Sequence, residues 1–235
     1  MKTYFELIEG VISPFINELW GDCPNKVALF VRGSSLIHTE ISAFKPLDID
    51  ILLFVRGDKR KANSIAKKTE KNIHKAYPLI PNLDIKIIDC SIATPESIFN
   101  TLIASQTGKL LAGKDLSLPI SHFKKFRREL IHFSLNQAKA KLECVIKTSD
   151  SAIQKQRLPH LSKSILRIGG LLRLNEGFYT RSPYESAQIL CEFVPNASSY
   201  ITVILESFEI QTSSDILFKS YFSVLKMIKE EIFYA

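Results

Sequence analysis

Two apolar runs separated by a polar loop constrain this chain more than any other feature. The first, Val27-Ala28-Leu29-Phe30-Val31, closes on Arg32-Gly33-Ser34-Ser35. The second, Leu47-Asp48-Ile49-Asp50-Ile51-Leu52-Leu53-Phe54-Val55, carries two acids inside a hydrophobic segment. Short runs of aliphatic, β-branched and aromatic residues bounded by turn residues read as buried strands. Successive side chains of a strand point to opposite faces, so Asp48 and Asp50 share one face while Ile49 and Ile51 share the other. Two carboxylates that close repel each other unless a positive charge holds them. A divalent cation meets that need. Hard oxygen ligands suit Mg²⁺, which commonly takes one or two protein carboxylates and completes its shell with nucleotide phosphates.

Each piece alone is ordinary. A Gly-Ser after a strand is usually a turn, and an Asp-x-Asp is usually a solvated strand edge. The joint pattern is rarer: apolar strand, Gly-Ser, thirteen intervening residues between Ser34 and Asp48, then Asp-x-Asp in a second apolar strand. It resembles the signature of the DNA polymerase β-like nucleotidyltransferase superfamily, over roughly the first third to half of the chain. In size and general layout the chain looks most like the bacterial aminoglycoside- and lincosamide-type antibiotic nucleotidyltransferases and their uncharacterised relatives.

That resemblance implies that Gly33, Ser34 and Ser35 lie over the nucleotide phosphates, and that Asp48 and Asp50 bind Mg²⁺ in a two-metal site. A third carboxylate is expected on a neighbouring strand. Leu83-Asp84-Ile85-Lys86-Ile87-Ile88 reads as that strand, and Asp84 fits as general base for an acceptor hydroxyl or as a further metal ligand. Asp89 competes with it, but has the opposite parity and stands where the strand runs out. Arg32 is a candidate charge for the phosphates, or a partner for a structural carboxylate. Backbone N–H groups of the 34–46 loop, which contains His38, Thr39, Glu40 and Lys45, could line an anion pocket.

The chain is long enough, at 235 residues, for one large domain or two small ones. No apolar run is long enough to span a bilayer, and the N-terminus lacks the pattern of a signal peptide. Cys23, Cys90, Cys144 and Cys191 are far apart and without metal-ligand spacing, which reads as free, mostly buried thiols in a cytoplasmic protein. The net charge of +7 favours anionic partners: nucleotide, nucleic acid or an acidic protein. Clusters at Lys59-Arg60-Lys61 and Lys124-Lys125-Phe126-Arg127-Arg128 read first as solvated helix faces.

Apolar spacing predicts a helix over 3–20, with Pro14 kinking or breaking it, and another over 59–77 capped by Asp58. A helix is expected over 95–105, with Pro95 at its start. The Thr107–Leu116 segment resembles the small-residue-and-glycine turn after the catalytic domain of the antibiotic enzymes, and marks a boundary. Beyond it the pattern is helical, over 121–147, 159–175, 183–193, 196–208 and 214–233. Ser121 is a candidate cap, Ser182 and Glu185 form a candidate capping box, and Gly169-Gly170 suggests close packing. Lys163 and Arg167 on the 159–175 helix are candidate nucleotide contacts, or ordinary surface charges. The expectation is an α+β fold: a mixed-sheet nucleotidyltransferase core over 1–118 flanked by helices, then an all-helical domain over 119–235.

The function implied is Mg²⁺-dependent transfer of a nucleoside monophosphate from a nucleoside triphosphate, with ATP favoured, to a hydroxyl acceptor. The acceptor can be protein, RNA or a small molecule. A polycationic drug needs clustered carboxylates, whereas Glu176, Glu185 and Glu192 are scattered in a basic C-terminal half. The alternative is a non-catalytic nucleotide-binding or antitoxin-like regulatory module. Plain nucleic-acid binding lacks an interleaved basic-aromatic motif.

Overall fold

The computed structural model describes residues 2–36, 48–80 and 83–233. The chain forms two compact units, Met1–Pro119 and Ile120–Ala235.

The first unit is built on a four-stranded mixed sheet in the order β3-β2-β1-β4. The strands are β1 (Lys26–Arg32), β2 (Ile49–Val55), β3 (Leu83–Asp89) and β4 (Lys109–Gly113). β1 runs antiparallel to both β2 and β4, and β2 runs parallel to β3. The parallel pair requires a crossover, supplied by α2 (Lys59–Ala76), whose N-cap Asp58 accepts from the Arg60 N–H. β2 is buried at every position except Asp50, as expected of a central strand covered on both faces. On one face, Leu29, Val31, Ile49, Ile51, Leu53 and Ile85 pack under α1 (Tyr4–Asp22) and α2. On the other, Ala28, Phe30, Leu52, Phe54 and Ile88 pack under Ile103 and Ala104 of α3 (Pro95–Thr107).

Two local expectations need correction. α1 runs unbroken through Pro14. The carbonyl that Pro14 leaves without a partner belongs to Gly10, and both residues are exposed, so water takes that place. The segment expected to be a boundary turn contains β4, which pairs with β1 before the chain leaves the sheet. Its register shifts beside Leu29 and Phe30, and its residues are only half-buried or exposed, so it carries little of a strand's apolar signal.

The second unit is helical: α4 (Arg127–Ile146), α5 (Ser151–Leu166), α6 (Gly169–Leu172), α7 (Pro183–Phe193), α8 (Ser198–Glu206) and α9 (Ser214–Phe233). A 3₁₀ stretch over Ile120–Phe126 precedes α4, so Ser121 caps nothing. The expected 159–175 helix is two pieces. α5 begins earlier, capped by Asp150, and the chain breaks before α6. A Cβ on Gly169 would stand 2.0 Å from the Ser186 carbonyl oxygen, and one on Gly170 2.0 Å from that of Thr180. Close packing therefore demands both glycines. Ser182 caps α7 through the Glu185 N–H, but the Glu185 carboxylate accepts from the Thr180 hydroxyl instead of returning to the cap. No helix among the described residues is long and apolar enough to cross a membrane.

Candidate active site

Strand register brings the acids together. Arg32 on β1 stands opposite Asp50 on β2, and Asp50 stands beside Asp84 on β3. Residues side by side in paired strands share a face, so the three side chains form a row across the sheet. Asp48 lies one residue before β2 and two before Asp50. The row is on the α3 face, at the end where the small cluster around Phe30 and Phe54 has run out. Asp50 is half-buried, while Asp48 and Asp84 are exposed.

Gly33 follows β1 directly, with φ +85°, a conformation that L side chains rarely adopt. A Cβ at Gly33 would stand 2.5 Å from Asp50 Oδ2, so the turn and the half-buried carboxylate are in direct contact. Gly33–Leu36 forms one 3₁₀ turn. Within it Ser35 is buried, and its hydroxyl donates to the Arg32 carbonyl at 3.2 Å. The Ser35 side chain thus fixes the turn, and Ser34 is the half-exposed hydroxyl beside the glycine. Leu47 and the loop with His38, Thr39, Glu40 and Lys45 lie outside the described residues.

Asp89 occupies the other end of β3, beside Val55. Its Oδ1 accepts from the Ser91 N–H at 2.8 Å and the Gly57 N–H at 3.1 Å. Hydrogen bonds from the Ser91 backbone and hydroxyl, then from Gly57, hold its carboxyl below the usual range. Asp89 therefore ties the turn after β2 to the end of β3, away from Asp50. Lys163 is exposed in the last turn of α5. Arg167 follows that helix, and its Nε donates to the Arg181 carbonyl at 2.9 Å.

One positioning residue escaped the sequence reading. Glu70 of α2 accepts the Ile85 N–H at 2.9 Å, one residue beyond Asp84. Among the described residues β3 is a sheet edge, and this bond satisfies an N–H on its open side. The available signal was Glu70's place as the lone acid of a basic helix. The cysteines are free but less buried than expected: only Cys23 is fully buried, and Cys144 is exposed.

Among the described residues no group of three or more His, Cys, Asp or Glu side chains forms a metal cage. The donor set at the strand ends is of another kind: one half-buried carboxylate flanked by two exposed ones. That set fits Mg²⁺, which keeps several waters and takes one or two carboxylates together with substrate phosphates.

The first unit is thus a mixed sheet with acids near the start of β2 and β3 beside a Gly-Ser turn, and the second is helical, which makes the fold α+β. Among solved structures the chain is similar to spectinomycin adenyltransferase AAD(9) from Enterococcus faecialis, determined with ATP and spectinomycin. The TM-score is 0.56 and the identity 13%, over 92% of this chain and 99% of that one, so what is shared is the fold. No family model and no curated protein sequence matches the chain.

Proposed function

We propose that the protein is a nucleotidyltransferase that moves a nucleoside monophosphate from a nucleoside triphosphate, ATP in the first instance, to a hydroxyl acceptor. The observation that carries this reading is the alignment of Arg32, Asp50 and Asp84 across three strands, with Gly33 against the Asp50 carboxylate. The ATP-bound fold neighbour supports the choice of nucleotide.

In this reading Asp48 and Asp50 hold Mg²⁺, with Asp84 as a further ligand or as the base for the acceptor. Bound there with the triphosphate, Mg²⁺ neutralises phosphate charge and stabilises the charge that gathers on the leaving oxygens. Gly33 lets the backbone approach the β- and γ-phosphates, and the Ser34 hydroxyl donates to them. Asp50 is the fixed member of the acid set, because the turn packs on it. Asp84, exposed like Asp48, is suited to an incoming hydroxyl. The acceptor oxygen bonds to the α-phosphorus, the α–β bridging bond breaks, the hydroxyl proton leaves to Asp84 or water, and pyrophosphate departs.

A small-molecule acceptor is favoured by the spectinomycin in the neighbour's structure, and an anionic acceptor by this chain's charge. Pyrophosphate release and calorimetric titration, each with Mg²⁺ and the four ribonucleoside triphosphates, test the reaction class. Release dependent on an added acceptor supports transfer. Binding without release in the presence of cell extract supports the alternative, a nucleotide-binding regulatory module.

A further inference from the structure

α2 carries most of the protein's net charge. Its 18 residues include Lys59, Arg60, Lys61, Lys67, Lys68, Lys71 and Lys75 against the single acid Glu70, a net +6 of the chain's +7. The remaining 217 residues are nearly neutral, at +1. All of the cations except Lys59 are exposed. At 3.6 residues per turn, Arg60, Lys61, Lys67, Lys68, Lys71 and Lys75 fall within an arc of about 120°. Ala62, Ala66, Thr69 and Ile73, the buried residues, lie on the opposite side against the sheet. The result is a cationic stripe about 22 Å long.

Helix stability does not account for it. Lys67, Lys71 and Lys75 are spaced by four, which sets like charges beside each other at a cost to the helix. Among the described residues only Lys68 and Arg60 of the stripe have an ion pair with an acid, Glu18 at 3.5 Å and Asp58 at 3.8 Å, and both pairs are exposed. Nor does the stripe suit a lipid surface, because the helix has spent its apolar face on the sheet and no apolar residue interrupts the cations. Lys67, Lys71 and Lys75, about 6 Å apart along a face one helix wide, complement a single phosphodiester backbone. At the C-terminal end Tyr77 is 40% exposed and meets Phe15 edge to face, offering a ring for base stacking. At the other end Arg56 shares a notch of about 320 Å³ with Lys26 and Lys114, which extends the positive surface.

We propose that the exposed face of α2 docks single-stranded nucleic acid through its phosphate backbone. The surface is separate from the acids, which lie on the other face of the sheet. Its C-terminal half nevertheless reaches the same sheet end, since Glu70 bonds the N–H of Ile85, the residue after Asp84.

The test is fluorescence anisotropy with labelled 20-nucleotide RNA and DNA of one mixed sequence, across a salt series. The proteins are the wild type, K61Q/K71Q/K75Q, and the charge-matched control K124Q/K147Q/K155Q, each checked for folding by circular dichroism. The expected result is wild-type binding that falls with salt. At 50 mM salt the α2 variant should be at least about tenfold weaker, with a salt slope reduced by about 2. The control and D50N should bind like the wild type, which keeps docking distinct from transfer. Absence of oligonucleotide binding at 50 mM salt, equal weakening in the control, or an unchanged affinity in the α2 variant would overturn the proposal. So would loss of binding to phosphatidylserine vesicles in the α2 variant while the oligonucleotides bind as before.

Discussion

The Cα of Gly33 rests against the carboxylate of Asp50, so closely that a Cβ there would stand 2.5 Å from Oδ2. The turn that ends β1 and the acid inside β2 are one structural unit, although seventeen positions separate them in the chain. Gly33→Ala must both strain a backbone at φ +85° and push the carboxylate aside. The strain costs about 1–2 kcal/mol. Urea unfolding should report a loss of that size, and nucleotide transfer should fall by more than the stability change explains, because Asp50 has moved.

Asp84 and Asp89 lie at opposite ends of one strand and should separate cleanly on substitution. Asp84→Asn is expected to reduce transfer at least about a hundredfold, the lower range for a lost acid–base group, with unfolding little changed. Asp89→Ala should leave transfer near the wild-type level but loosen the turn at Gly57 and Ser91. The folded carboxyl of Asp89 titrates below its unfolded value. Its stabilising contribution is therefore present above the ordinary carboxylate pKa of about 3.9, and is lost as pH falls through the lower folded value. Urea midpoints of wild type and Asp89→Ala should differ at pH 7 and draw together as the pH falls below the ordinary carboxylate range. Loss of transfer in Asp89→Ala would move the base to the wrong end of β3.

Much of this was legible in the sequence because local signals agreed. Ile-Asp-Ile-Leu-Leu-Phe-Val has the continuous apolar character of a central strand, and the acid that interrupts it marks the place where burial ends. Opposite parity, together with its place where the strand runs out, set Asp89 behind Asp84, since odd steps along a strand change faces. What stayed hidden depends on tertiary context. β4 is a half-exposed edge with a register shift, so its five residues resemble a loop. Pro14 was read as kinking or breaking the helix, and the break does not occur because the orphaned Gly10 carbonyl lies on an exposed side, which a sequence does not reveal. Ser35 looked equivalent to Ser34 until the turn buried one hydroxyl against the Arg32 carbonyl. The role of Glu70 requires knowing which β3 N–H groups point away from the sheet.

The helical unit offers a test of packing alone. Gly170→Ala would place a methyl group 2.0 Å from the Thr180 carbonyl oxygen, and backbone cannot swing away as a side chain tip can. Overpacking of this kind costs about 1–3 kcal/mol. Thermal unfolding of Gly170→Ala should show a lower midpoint, while Gly10→Ala, which meets nothing within 4 Å, should not be destabilised.

Tyr221 and Ser162 share a buried hydrogen bond at 2.7 Å. Burial pushes the phenol up to about 12, against the lowering effect of the Ser162 bond. Spectrophotometric titration should find that Tyr221 ionises only as the protein unfolds at high pH. In Tyr221→Phe that late step should be missing, with a stability loss of about 1 kcal/mol for the broken bond.

The most direct measurement is transfer of label from α-³²P-ATP in the presence of Mg²⁺ and cell extract, comparing the wild type with Asp50→Asn. Small molecules, protein and nucleic acid are separated afterwards, and circular dichroism confirms that both proteins are folded. The account predicts label in one of those fractions with the wild type and none with the variant. Equal labelling by a folded Asp50→Asn protein would contradict it.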